Sequence, residues 1–124
     1  MLRCIQRTET DPYFNLAAEE FLLQHAACDT FMLWRNDRSV ILGKHQNFAR
    51  EVNHQVIEEE AIPVIRRITG GGTVFHDLGN INYSFIRLNR KENPVDFRFF
   101  TRPVLTFLHD MGLCARFEEK SNLT

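Results

Sequence analysis

The chain has 124 residues, 44% of them hydrophobic and 25% charged, with 15 Lys and Arg against 16 Asp and Glu for a net charge of -1. That is enough for one buried core of ordinary globular composition, and its balanced charge argues against a nucleic-acid duplex as a global partner. Cys4, Cys28 and Cys114 are an odd number without short spacing, which fits neither a disulfide framework nor a zinc site and favours reduced thiols in a cytoplasmic protein.

The opening "MLRCIQRTET" has no apolar run of secretion-signal length, and no stretch approaches a bilayer span. Within it "LRCIQR" reads as a short strand. Asp11 then offers an N-cap with Pro12 at the first helical position. Phe14, Ala17, Ala18, Phe21, Leu22 and Ala26 recur at helical spacing and predict an amphipathic helix. "TFMLWRN" and "SVILGKH" flank a polar segment and predict a hairpin turning at Asn36-Asp37. "NHQVIEEEA" predicts a short helix ended before Pro63, its three glutamates a solvated face.

"VIRRI" predicts a strand entering three glycines, and "TVFH" and "NINYSFIRL" two more strands after them. "NPVDFRFFTRPVLTFLHDMG" reads as helical in its second half, capped at Gly112, with "LCARFEE" starting another strand. Strands joined by short turns and mixed with helices predict an α+β or mixed α/β fold, mostly antiparallel, rather than a doubly wound parallel sheet.

The densest chemistry lies in "RRITGGGTVFHDLGN", residues 66–80. Glycines between two strands permit positive φ and let a ligand approach the backbone, and successive N–H groups in such a turn suit an anion. Arg66 and Arg67 alternate across a strand, so one of them should face that concavity, where its planar fork suits phosphate or carboxylate. Thr69, His76 and Asn80 add polar groups. The loop is not a Walker A sequence, lacking its spacer and GK(S/T) ending, nor a Rossmann fingerprint. The residues alone leave two readings open: a solvated hairpin turn, or a loop that binds nucleotide or carboxylate.

The whole string resembles the signature R-R-x-(S/T)-G-G-G-x-V-(F/Y)-H-D-x-G-N of lipoate–protein ligases and related lipoyltransferases. "DPYFNLAAEEFLL", "FMLWRNDRSVILGKHQN" and "EVNHQVIEEEAIPVIRR" extend the resemblance upstream in order, over essentially all 124 residues. It implies a biotin/lipoate-ligase-like catalytic fold that adenylates lipoate with ATP and Mg²⁺. The lipoyl group then passes to a lysine of a carrier, an E2 lipoyl domain of a 2-oxoacid dehydrogenase or the glycine-cleavage H protein.

By the same resemblance Arg67 faces the nucleotide and carboxyl end of the ligand. Thr69, Gly70, Gly71, Gly72, Thr73, Val74 and Phe75 belong to the adenylate loop, with His76 and Asn80 beside it. Trp34 is similar to an aromatic residue lining the lipoyl tunnel. Asn122, in "KSNL", corresponds to a nucleotide-contacting position where many members carry Asp.

The family's lysine motif, D-G-x-K-(I/F/V)-(S/A)-G, does not occur in these residues, and Lys44, Lys91 and Lys120 do not match it. Residues 1–124 are therefore expected to be the N-terminal portion of a ligase catalytic domain, impaired without that lysine. Two other functions fit the same loop: a lipoyl- or octanoyl-transferase using preactivated acyl groups, and a non-catalytic lipoate or lipoyl-AMP binder.

His25, His45, His54, His76 and His109 show neither HxxxH nor HExxH spacing, so no metal site is expected. His45 reads as solvent-facing, and Cys28 and Cys114 as buried structural thiols.

Overall fold

The computed structural model describes residues 1–88 and 96–118. Its chain divides into two compact units, Met1–Leu88 and Asn89–Thr124.

The first unit holds two three-stranded sheets. Strand β1 (Leu2–Gln6) leads into helix α1 (Pro12–His25), and β2 (Asp29–Trp34) returns parallel to β1. Parallel neighbours need such a crossover, and a helix supplies it. Strand β6 (Asn82–Ile86) closes that sheet on the other side of β2, antiparallel, with Met32 opposite Ser84 and Trp34 opposite Asn82.

The second sheet repeats this arrangement. Strand β3 (Ser39–Leu42) is followed by two short helices, α2 (Phe48–Glu51) and α3 (His54–Glu59), before β4 (Val64–Arg66) pairs parallel with β3. Strand β5 (Val74–His76) pairs antiparallel with the other edge of β3. The α+β class holds, although among the described residues strand pairing is evenly divided, two parallel and two antiparallel, rather than mostly antiparallel.

The hairpin expected at Asn36-Asp37 does not form, since β2 and β3 belong to different sheets. All four β3 residues are buried, so the strand needs partners on both edges and cover on both faces. The connecting segment is tied back towards α1: the Asp37 N–H donates to the Thr10 carbonyl at 2.8 Å, and Asn36 is fully buried.

Helix α1 starts as expected, with the Asp11 carboxylate accepting the Phe14 N–H at 2.7 Å and Pro12 in the first turn. Its buried face is a different one. Pro12, Asn15 and Leu16 are inside, while Phe14 and Phe21 are more than half exposed. Asn15 turns inward because three carbonyl-type oxygens converge on its amide nitrogen, which apolar spacing does not reveal. The core consists of Leu16, Met32, Trp34 and Ile41, joining α1 to the central strands of both sheets, with Ile5, Leu22 and Ile65 against it.

In the second unit, helix α4 (Phe97–Asp110) begins earlier than the sequence suggests. It is capped by the Asp96 side chain on the Phe99 N–H and continues through Pro103. Gly112 ends it at φ +82°, its N–H on the His109 carbonyl. The strand expected from residue 113 is absent through residue 118 apart from an isolated bridge at Phe117; the chain there instead folds back on α4 through His109 Nε2 donating to the Ala115 carbonyl at 2.8 Å. Cys114 is exposed and Cys28 half-buried, so neither is the buried thiol expected from sequence; all three cysteines are free.

Candidate functional site

A cavity of about 260 Å³ in the first unit is lined from α1 and both sheets. Its apolar wall is Leu16, Trp34 and Ile41, continuous with the core, and its polar rim includes Glu19, Arg67, Thr69, His76, Asn82 and Tyr83.

The two arginines entering the glycines diverge. Arg66 donates to the carbonyls of Gly43, Lys44 and Gln46 at 2.7–3.3 Å, bracing the loop after β3. Arg67 lines the cavity and grips the glycine loop: its Nη2 donates to the carbonyls of Gly70 and Gly72, both at 2.8 Å, and its Nε to Gly70 at 3.2 Å. The N–H groups of Gly70, Gly71 and Gly72 make no hydrogen bond to another described residue. One guanidinium thus turns loop carbonyls towards itself and leaves three consecutive donors unspent, a nest suited to an anion. Burial pushes the Arg67 pKa down and the nearby Glu19 carboxylate opposes this; arginine keeps its charge under either influence.

Only Gly71 in the triplet requires a positive φ, at +98°. The Lys44 N–H donates to the Thr69 carbonyl at 2.9 Å, lacing the loop after β3 to the glycine loop.

His76 is only 7% exposed. Asn36 Nδ2 lies 3.1 Å from its Nδ1, and the Trp34 ring stands edge-on at a centroid distance of 6.0 Å. Burial and, secondarily, the Arg67 charge lower the His76 pKa, so the ring is neutral near pH 7. Trp34 Nε1 donates to Ser84 Oγ at 3.0 Å, and that hydroxyl donates in turn to Glu19 Oε1. The indole N–H is therefore spent, and Trp34 offers the cavity an apolar face. Burial raises the Tyr83 pKa, so its phenol stays protonated.

The structure thus gathers Trp34, Arg67, Thr69, Val74 and His76 on one cavity. Thr73 and Phe75 do not line it: they border a separate open groove beside α3, since strand alternation sends Phe75 to the face opposite His76. Asn80 lies in the turn after His76, its amide on Asn82 Oδ1 at 3.0 Å, while Asp77 Oδ1 accepts the Gly79 N–H. Asn122 lies outside the described residues.

The sequence profile of the lipoyl protein ligase A/B catalytic domain matches residues 11–124. The chain belongs to this family.

Among its curated relatives, lipoate-protein ligase LplJ of Bacillus subtilis is 39% identical over 91% of this chain and 35% of its own length. A putative lipoate-protein ligase A of Aeropyrum pernix is 38% identical over 96% and 46%. Among solved structures, a lipoate-protein ligase A bound with ATP superposes at TM-score 0.87 and 31% identity, over 98% of this chain and 52% of that one. The bipartite ligase of Thermoplasma acidophilum, studied with its E2 lipoyl domain, superposes at TM-score 0.85 and 31% identity, over 98% and 49%. The chain spans between about a third and a half of the length of these relatives.

In this lipoyl ligase family member, sequence reasoning overlooked Glu19, Tyr83, Ser84 and Asn36. Glu19 follows Asn15 by four residues, hence on the same helical face, a signal present but masked by neighbouring Glu20. Nothing local marks Asn36, whose partners are 21 and 40 residues away.

Proposed function

We propose that this chain carries the loop and acyl wall of an ATP-dependent lipoate ligase site. The carboxylate of lipoate attacks the α-phosphorus of ATP, pyrophosphate leaves, and lipoyl-AMP forms. The acyl group then passes to a lysine amine of a carrier, an E2 lipoyl domain or an H protein, with AMP leaving. The observation that carries this reading is the seat of Arg67, which lines the cavity beside the apolar wall of Leu16, Trp34 and Ile41 while holding the glycine loop by the carbonyls of Gly70 and Gly72.

Adenylation joins two anions, so a fixed cation and preorganised donors lower its barrier by stabilising charge where it develops. An apolar wall holds the lipoyl chain by burying methylenes, about 0.8 kcal/mol each. Thr69, His76 and Asn80 supply polar contacts beside the loop, and Asn122 is the proposed further nucleotide contact.

Mg²⁺ brought by ATP would be held chiefly by the triphosphate oxygens rather than by a cage of side chains. No three His, Cys, Asp or Glu cluster among those described, and Glu19, the acidic residue of the cavity, already accepts from Ser84. Among the described residues no helix is long and apolar enough to cross a membrane.

The test is lipoate-dependent exchange of labelled pyrophosphate into ATP by the full chain. Exchange that disappears in Arg67→Ala supports the ligase. Absence of exchange with transfer from supplied lipoyl-AMP favours the acyltransferase, and binding of lipoyl-AMP without either reaction favours a non-catalytic binder.

A further inference from the structure

A chain of buried amides determines where the proton of His76 sits. It begins at two main-chain carbonyls, of Glu9 and Arg35, which lie 2.8 and 2.9 Å from Asn15 Nδ2. A carbonyl oxygen can only accept, so the atom facing both must be the amide nitrogen. The same nitrogen lies 3.1 Å from Asn36 Oδ1, which sets the Asn36 amide with its oxygen towards α1. Its NH₂ group is then the end 3.1 Å from His76 Nδ1. An amide NH₂ cannot accept, so Nδ1 must offer its lone pair, and a neutral ring so held carries its hydrogen on Nε2.

Asn15 and Asn36 are both fully buried, so water does not compete for these bonds. Nε2 makes no hydrogen bond to a described residue, while the ring it belongs to lines the cavity.

We propose that Asn36 is a positioning residue that holds the His76 proton on Nε2, making the imidazole a permanent N–H donor to an anionic oxygen bound beside Arg67. The identity of that oxygen, a carboxylate or phosphate of an acyl adenylate, rests on the proposed function; the tautomer does not. A neutral donor is the useful form here because it stabilises developing negative charge without exchanging a proton with its ligand. The charged and titratable groups around the ring are Arg67 from the loop after β4, Glu19 from α1 and Tyr83 from β6. Arg67 opposes an imidazolium; Glu19 would favour one, but its charge acts on Arg67 and its carboxylate accepts from the Ser84 hydroxyl.

Long-range ¹H–¹⁵N NMR of the full chain without ligand reads the tautomer directly. The expected spectrum shows His76 protonated on Nε2 alone at neutral pH; an Nδ1–H form or an averaged mixture overturns the proposal. Asn36→Asp is nearly isosteric and places an acceptor opposite Nδ1, so its neutral His76 is expected to carry the proton on Nδ1.

In that variant the turnover of lipoate-dependent pyrophosphate exchange should fall roughly ten-fold or more above neutral pH. It should recover at lower pH, where an imidazolium restores Nε2–H, with KM for lipoate little changed. A loss equal at every pH means that Asn36 is merely structural, and overturns the proposal. If Asn36→Asp does not fold, the wild-type spectrum decides alone. If the wild-type chain shows no exchange, as expected of residues without the family's lysine motif, the spectrum still decides the tautomer.

Discussion

The carbonyl oxygen of Gly71 lies 2.0 Å from the point that a Cβ on Gly43 would occupy. The loop after β3 and the glycine loop after β4 thus meet backbone to backbone, with Arg66 and Arg67 each gripping one of them.

Gly43→Ala should therefore displace the glycine loop, because the two nearest atoms, the carbonyl O and C of Gly71, are backbone and cannot swing away as the Gln46 side chain can. A loss of about 1–3 kcal/mol in denaturant unfolding is expected, as for overpacking, together with loss of lipoyl-AMP binding by calorimetry. Gly70→Ala and Gly72→Ala meet open space and should leave unfolding nearly unchanged, within about 0.5 kcal/mol. Equal stability of all three variants would show that the two loops are not locked together.

Arg67→Ala removes the cavity's cation and releases the carbonyls of Gly70 and Gly72. Affinity for lipoyl-AMP should drop roughly ten- to hundred-fold, the worth of charge-assisted hydrogen bonds. Arg66→Ala, whose guanidinium serves the exposed Lys44 and half-buried Gln46 carbonyls besides that of buried Gly43, should cost about 1 kcal/mol of stability and little affinity. Calorimetric titration of both variants would reveal a reversed order if Arg66 were the ligand-facing arginine.

Glu19→Gln keeps an oxygen for the Ser84 hydroxyl and deletes the negative charge that acts on Arg67. An anionic ligand should then bind more tightly, by roughly two- to five-fold, the range of a partly exposed charge interaction. Weaker binding in the same titration would instead make Glu19 a direct ligand contact.

Burial and Arg67 hold the His76 pKa below its ordinary value of 6.5. The unfolded chain therefore binds more protons than the folded one just below that pH. Stability from this group is complete above about 6.5 and is lost as pH falls through the depressed folded pKa, with a slope of at most about 1.4 kcal/mol per pH unit. Urea unfolding between acidic and neutral pH should show this slope, and His76→Gln should flatten it. A variant as steep as wild type would assign the slope to other groups.

Helix α1 was legible because its stop and start signals are local: Asp11 caps its own helix and Pro12 sits where its missing N–H costs nothing. The same holds for β4, β5 and the glycine loop, where composition and alternation name the elements and the motif names the family. The exposed Phe14 and Phe21 misled the choice of buried face, since apolar spacing records what a helix could bury and not what its partners leave room for.

By itself the sequence determined the elements, the α+β class, the arginine and glycine chemistry and, through one fifteen-residue string, the family. Only the tertiary structure decided that β2 and β3 part into two sheets, that Arg66 braces the loop after β3, and that Phe75 turns away from the cavity. It alone joined Asn15, Asn36 and His76, which lie 21 and 40 residues apart along their links. The physical reason is reach. Caps, turns and periodicity act within a few residues, whereas a buried amide must satisfy its hydrogen bonds with whatever the fold brings to it, and no local pattern records that partner.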